Sequence, residues 1–422
     1  MLYLFLLFAG LCAAAPSQPI AGSLGAPMLG PHNPPLEAQN KDFLAPPSTD
    51  HGLLPNMKWP FSLSHTRLAK GGWARQQTVI DLPIATDLAV CILLYEVPSL
   101  NHVSYRSELH WHTAAEVRRD YCYLFHARIH LSNKWAYVLE GEVRISTITP
   151  EGEVFVGDVS SGDLWYFPAG IPHSLQAKNT TTAGAEFVLI FDSGDFSEES
   201  TFGLIDWLAH TPKDVIAKNF GVADNQQLFA HIPDSDLFIF QSDPPPSDVH
   251  SDQVIPNDAQ NPYVFPLSKV APTKTTGGSY KVVDSRTFKV AEKVSAVEVT
   301  VEVGGMRELH WHPTQPEWCF FITGEAKATV FASSAVAQTF DFQFIQQKTS
   351  HTKVGAPRLE GHYVENTGNT TLKFLEVFKS NLVQDISLNQ WLALTPPELV
   401  KSHLGFSDEM IAKLKRNKQV VV

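Results

Sequence analysis

The chain repeats itself, and the repeat limits what it can fold into. Glu108-Leu109-His110-Trp111-His112 returns as Glu308-Leu309-His310-Trp311-His312. Trp135-Ala136-Tyr137-Val138-Leu139-Glu140-Gly141-Glu142 returns as Trp318-Cys319-Phe320-Phe321-Ile322-Thr323-Gly324-Glu325. Trp207-Leu208-Ala209-His210-Thr211-Pro212 returns as Trp391-Leu392-Ala393-Leu394-Thr395-Pro396. The order is kept, so the chain is two copies of one domain. Shared among 422 residues, each copy has enough chain to bury its own core. The stretch from Asp243 to Asn261, with Pro244-Pro245-Pro246, reads as the connector. These boundaries give an N-terminal extension over 19–58, a first domain over 59–240 and a second over 241–422.

Inside each copy, short alternating runs such as Val143-Arg144-Ile145-Ser146-Thr147-Ile148 are separated by Gly, Pro and Asp turns. That texture predicts an all-β sandwich or barrel. Each copy then ends in helical pattern, Phe202 to Ala209 and Lys213 to Asn219 in the first, Leu388 to Leu394 and Pro397 to His403 in the second. With 44% apolar and 18% charged residues, the chain as a whole is not disordered. A net charge of −12 argues against nucleic acid, because nothing here neutralises a row of phosphates. Four Cys, one of them in the leader, make no disulfide framework, and no CxxC pair suggests zinc. Leu2 to Ala15 is a short apolar run ending in small residues, so residues 1–18 read as a signal peptide and the protein as secreted. No later run has the length of a membrane helix. Asn179-Thr180-Thr181 and Asn369-Thr370-Thr371 are glycosylation sequons and suit that destination.

His110 and His112 are two apart, so on a strand they share a face. Glu116 follows, and His173 lies downstream after the Gly162 to Pro172 run. The second copy repeats the set as His310, His312, Glu317 and His362. A lone His is usually a core or solvated residue. Two parallel sets of three imidazoles and one carboxylate instead make a site for a divalent transition metal, with two octahedral positions open to substrate and oxygen.

The HxHxxxE pattern followed by GxxxxxPxGxxH resembles the cupin signature, and two copies resemble a bicupin. The Glu108 to His112 core, the Asp163 to His173 run and the Phe196 to Phe202 segment resemble those of the oxalate decarboxylase family, especially its secreted fungal members. The resemblance covers about Trp59 to Leu404. It implies two tandem cupin barrels of the double-stranded β-helix or jelly-roll type, each followed by short helices. It implies Mn(II) at two sites per chain, His110, His112, Glu116 and His173 in the first, and His310, His312, Glu317 and His362 in the second. Oxalate becomes formate and CO2, with dioxygen as co-catalyst, in a homo-oligomer, a trimer or hexamer. A positioned acid then decides between formate and full oxidation. The loop from Phe191 to Trp207 is 16 residues long against 13 from Phe378 to Trp391, and Glu198 stands at the family's lid position as proton donor. Glu376 and Arg307 resemble the Glu and Arg of the family's second site, which is expected to be mainly structural or electronic, and Arg106 is the first copy's candidate for holding substrate.

The first copy departs from the pattern. Glu317 is followed at once by Trp318, whereas Glu116 and Trp135 are separated by 18 residues, 117–134. These begin with Val, whose codons start GT, and end with Lys, which AAG encodes, so an intron read through in frame is the expected origin. Arg106 also stands one residue early against Arg307, and only a bulge restores its aim. The Phe344 to Glu360 segment lacks a clean counterpart. Two other readings remain, oxalate oxidase, which releases peroxide, and a non-catalytic or impaired bicupin.

Overall fold

The computed structural model describes residues 47–422 apart from 70, 96–127, 130–131, 182–183, 197–201, 223–224, 233–238, 240–244, 256, 258, 344–350 and 355–359. The expected leader, Arg106, His110, His112, Glu116 and Glu198 lie outside the described residues, as does most of the 117–134 segment.

Each copy forms two antiparallel sheets, one of seven strands and one of five, packed as a barrel. In the first barrel the central strands of the larger sheet are Leu164–Phe167, Lys134–Glu140, Ala185–Phe191 and Ala89–Tyr95. The smaller sheet runs Phe202–Gly203, Arg128–Ile129, His173–Ala177, Glu142–Ile148, Val154–Ser160. In the second barrel the corresponding strands are His351–Val354, Glu317–Thr323, Leu372–Phe378 and Ser295–Val301, then Ile386–Ser387, Met306–Trp311, Gly361–Asn366, Glu325–Phe331, Ala337–Gln343. The expected helices follow as Leu204–Ala209 and Lys213–Asn219, then Leu388–Leu394, Pro397–Leu404 and a further turn at Asp408–Lys413.

Period-two alternation sorts these strands into two cores. Ala136 and Val138 point into the first barrel, and Cys319 and Phe321 into the second. Their neighbours Trp135, Tyr137, Trp318 and Phe320 point the other way and meet between the barrels, with Tyr166 and Phe288. Tyr137 donates to Glu298 at 2.7 Å and Trp318 to Gln77 at 3.2 Å across this seam. Each tight connection after these strands needs a glycine. Gly141 and Gly324 have φ of +79° and +90°, and a Cβ there would lie 2.2 Å from the Gly184 carbonyl or 2.7 Å from Leu372 Cα.

The sequence boundaries and the barrels do not coincide. Lys58–Pro60, at the start of the expected first domain, pairs with His351–Val354 of the second barrel. Val264–Phe265, in the expected second domain, pairs with Leu164–Phe167 of the first. Each copy therefore closes the other's larger sheet, which covers an edge that would otherwise be open.

The 117–134 segment is also not a surface loop throughout. Arg128–Ile129 is a strand of the smaller sheet, and Lys134 is the buried first residue of Lys134–Glu140.

Candidate metal centre

The second barrel gathers all four of its expected ligands. His310 lies on Met306–Trp311, His312 just beyond it, Glu317 opens Glu317–Thr323, and His362 sits on Gly361–Asn366 directly opposite His310. All four are buried, and one donor atom from each lies within 4.8 Å of the others. Three backbone carbonyls orient the rings. His310 Nδ1 meets Glu308 O at 2.7 Å, His312 Nδ1 meets Gln384 O at 2.9 Å, and His362 Nδ1 meets Glu360 O at 3.1 Å. A carbonyl accepts only from N–H, so each Nδ1 carries the proton and each Nε2 lone pair turns inward. His310 Nε2 is buried with no hydrogen-bond partner among the described residues. Glu317 Oε2 lies 3.1 Å from His312 Nε2 and 2.5 Å from His362 Nε2. Three inward-facing ring nitrogens and a buried carboxylate fit a divalent cation, because an ion satisfies all of them at once.

The charges agree. Burial drives His310 well below the usual imidazole value, and the Arg307 cation adds to this. Burial opposes ionisation of Glu317, but His362 and His312 outweigh it and hold the carboxylate well below its ordinary range. A neutral ring and an ionised carboxylate are the forms that bind metal.

Arg307 and His310 are three apart, which on a regular strand puts them on opposite faces. A register shift between them turns both inward. The tail fixes this strand, since Met306 and Val422 exchange backbone hydrogen bonds at 2.8 and 2.9 Å. Arg307 Nε donates to Glu376 at 2.8 Å, and Nη2 donates to Glu376 at 3.4 Å and to Asp385 at 2.7 Å. Its Nη1 has no hydrogen-bond partner among the described residues. A cavity of about 160 Å³ beside Arg307 is also lined by Tyr280, Val297, Asp385 and Lys418. Burial pushes the Glu376 carboxyl up, Arg307 opposes this, and the Glu317 charge adds to the rise.

Sequence reasoning missed Asp385. Burial alone would raise its pKa, but Arg307 and Lys418 outweigh it and hold it at about 2 against an ordinary 3.8. A depressed folded-state value contributes stability that is complete above the unfolded pKa and lost as pH falls through the folded one. Asp385→Asn should therefore remove about 2 kcal/mol of acid-sensitive stability between roughly pH 4 and pH 2. Urea unfolding midpoints of both proteins across that window test this. Equal acid sensitivity would contradict it. Cys319, whose Sγ donates to Glu317 Oε1 at 2.6 Å, was also missed, as nothing in its spacing marks it.

The first barrel is different. Of its four expected ligands, His173 alone falls among the described residues, with Nδ1 held by Ile171 O at 2.9 Å and its ring stacked on Phe167. Lys134 Nζ lies 3.2 Å from His173 Nε2. Burial and then the Lys134 charge keep His173 neutral. Trp135 pairs with Trp318 in the repeat, so Lys134 holds the place that Glu317 has in the second barrel. The repeat itself was the signal for this, had it been read one residue further towards the N-terminus.

The family model described as cupin matches residues 123–228 and 267–412. The chain is 42% identical over 409 residues to oxalate decarboxylase OxdC of Bacillus subtilis, covering 96% of each chain. It is 38% identical to a probable oxalate decarboxylase of Arthroderma benhamiae, covering 96% of this chain and 93% of the other. Among solved structures, a variant of the Bacillus subtilis enzyme superposes with a TM-score of 0.83 at 40% identity, over 97% of this chain and 99% of that one. Two barrels on one repeat, a three-histidine, one-carboxylate cluster and relatives matched from end to end place the chain in the cupin family, among the bicupins of the oxalate decarboxylase type.

Proposed function

We propose that the protein decarboxylates oxalate to formate and CO2 with Mn(II) held by His310, His312, Glu317 and His362. The observation that carries this reading is the buried four-ligand cluster beside a guanidinium with a donor unpaired among the described residues. Full-length relatives named for this reaction, and a solved structure concerned with the Mn(II) centres of one of them, support the substrate and the metal.

A bound Mn(II) supplies Lewis-acid polarisation and a relay for electrons, with dioxygen as co-catalyst. The chain supplies the rest. The Nη1 of Arg307, unpaired among the described residues, is placed to hold a carboxylate oxygen, and Glu376 and Asp385 fix the direction of that donor. Glu376, ion-paired with Arg307 at 2.8 Å, is the proposed catalytic carboxylate of this site.

In a chain whose first barrel holds a metal, Glu198 is the proposed proton donor for that centre. A solved variant of the Bacillus subtilis enzyme has its Ser-Glu-Asn-Ser segment replaced by Asp-Ser-Ser-Asn, and Ser197-Glu198-Glu199-Ser200 differs from that Ser-Glu-Asn-Ser by one residue. This role depends on the first barrel holding a metal, as does any role for Arg106. Secretion with removal of residues 1–18, glycosylation at the exposed Asn179 and Asn369, and assembly into a trimer or hexamer complete the proposal. Trp207 and Trp391, each 54% exposed at matching places on the helices of the two copies, favour association of copies.

Formate and peroxide measured per oxalate consumed, with Mn(II) in air at mildly acidic pH, test the reading. About one formate per oxalate is expected, because decarboxylation retains the second carbon in reduced form. Peroxide without formate would make the protein an oxidase. No oxalate loss would overturn the proposal.

A further inference from the structure

We infer that the first barrel of this chain holds no divalent metal, so that the chain loads a single ion, in its second barrel. The inference rests on reading the second-barrel cluster as a metal centre.

Two register positions carry it. In the second barrel His362 pairs across the smaller sheet with His310, and His310 pairs on its other side with Ser387. In the first barrel His173 pairs with Arg128, and Arg128 pairs on its other side with Gly203. Arg128 therefore stands at the register position of His310. Lys134 likewise opens the strand that Glu317 opens in the second barrel. A position for an imidazole and a position for a carboxylate are both held by cationic residue types, neither of which is a usual ligand for a hard divalent ion.

The Lys134 side chain shows what this does. It is fully buried, and its Nζ sits 3.2 Å from His173 Nε2. The Ile171 carbonyl takes the other ring nitrogen, so Nε2 is the atom that would face an ion. In the second barrel the same imidazole edge, on His362, meets the Glu317 carboxylate. An ammonium has donors and no acceptor, so it satisfies the lone pair of His173 and repels a dication from the same space.

The cause lies in the sequence. Arg128 and Lys134 fall 18 residues after His110 and Glu116, and the extra segment 117–134 is 18 residues long. The barrel keeps its geometry counted back from Trp135. The segment's last residues thus occupy the places that His110 and Glu116 would hold without it. Removing 117–134 returns Glu116 to the position before Trp135, as Glu317 precedes Trp318.

The test counts metal, independently of turnover. The full chain is loaded with Mn(II), desalted, and analysed by elemental analysis and electron paramagnetic resonance. About one ion per chain is expected for the chain as written, and about two for the same chain lacking 117–134. His362→Ala in the chain as written should leave none, and this count stands even where the deleted chain does not fold. Two ions in the chain as written would overturn the inference and leave the second-barrel reading intact. An ion retained by His362→Ala with an unchanged paramagnetic signal would also overturn it, because a centre that has lost a ligand cannot keep its signal. A deleted chain that still loads one ion would remove the segment as the cause. A chain as written that loads none would overturn the second-barrel reading itself.

Discussion

Glu317→Gln is expected to lower the Mn(II) affinity of the second barrel by more than about 100-fold. Changing a partner one step behind a ligand already costs on the order of 10 to 100-fold, and Glu317 is placed to touch the ion itself. The amide keeps the shape and removes the one negative charge among three imidazoles. The three imidazoles then offer lone pairs with no anion to offset the dication. Glutamine also leaves only one neutral oxygen in place of the carboxylate that lies 2.5 Å from His362 Nε2 and 3.1 Å from His312 Nε2. Titration against a metal-sensitive dye, read with the paramagnetic signal of the bound ion, measures the loss. A variant that binds Mn(II) as tightly as the unaltered chain would show that the ion is not held here.

Glu376→Leu is expected to destabilise the second barrel by about 3–5 kcal/mol, the usual cost of removing one partner from a buried ion pair. Arg307 and Glu376 are both buried, and Arg307 carries its charge under all ordinary conditions. Leucine leaves the guanidinium with Asp385 alone, far from bulk water. The first copy shows that leucine fits, since Leu189 occupies the matching strand position and packs in the core. The cost is therefore electrostatic rather than steric. It follows that Arg307→Met combined with Glu376→Leu should recover most of the stability, because a well-packed apolar pair replaces a buried ionic one at little cost. The double variant should still lose turnover if Arg307 holds the substrate. Denaturant unfolding of the second barrel for the single and double variants decides between these terms. Equal stability of all three proteins would rule out the electrostatic account.

The sequence made the architecture legible because a duplication gives every pattern twice. The strand periodicity, the Gly141 and Gly324 turns and the closing helices could each be checked against a second copy. The second metal centre was legible for the same reason. His310 and His312 share a strand face by alternation alone, and Glu317 and His362 recur at repeat positions. Arg307 was named from its place before His310, but the bulge that turns both inward is a feature of strand pairing that no spacing displays. Asp385 was not legible, because it reaches Arg307 from 78 residues away and belongs to no motif.

The first barrel marks where sequence stopped and tertiary structure took over. The Glu108 to His112 motif is intact as written, and the sequence favours it as the ligand strand. Among the described residues the strand beside His173–Ala177 is Arg128–Ile129, the segment that lies close before the next strand. A short connection costs less chain entropy than one longer by 18 residues, a difference on the order of 1 kcal/mol, and strand pairing depends on side-chain alternation more than on ligand chemistry. The sequence by itself determined two barrels, the second barrel's set of ligands and the family. Only the tertiary structure decided which residues line the first barrel, because backbone hydrogen bonds assign register without regard to what the side chains can bind.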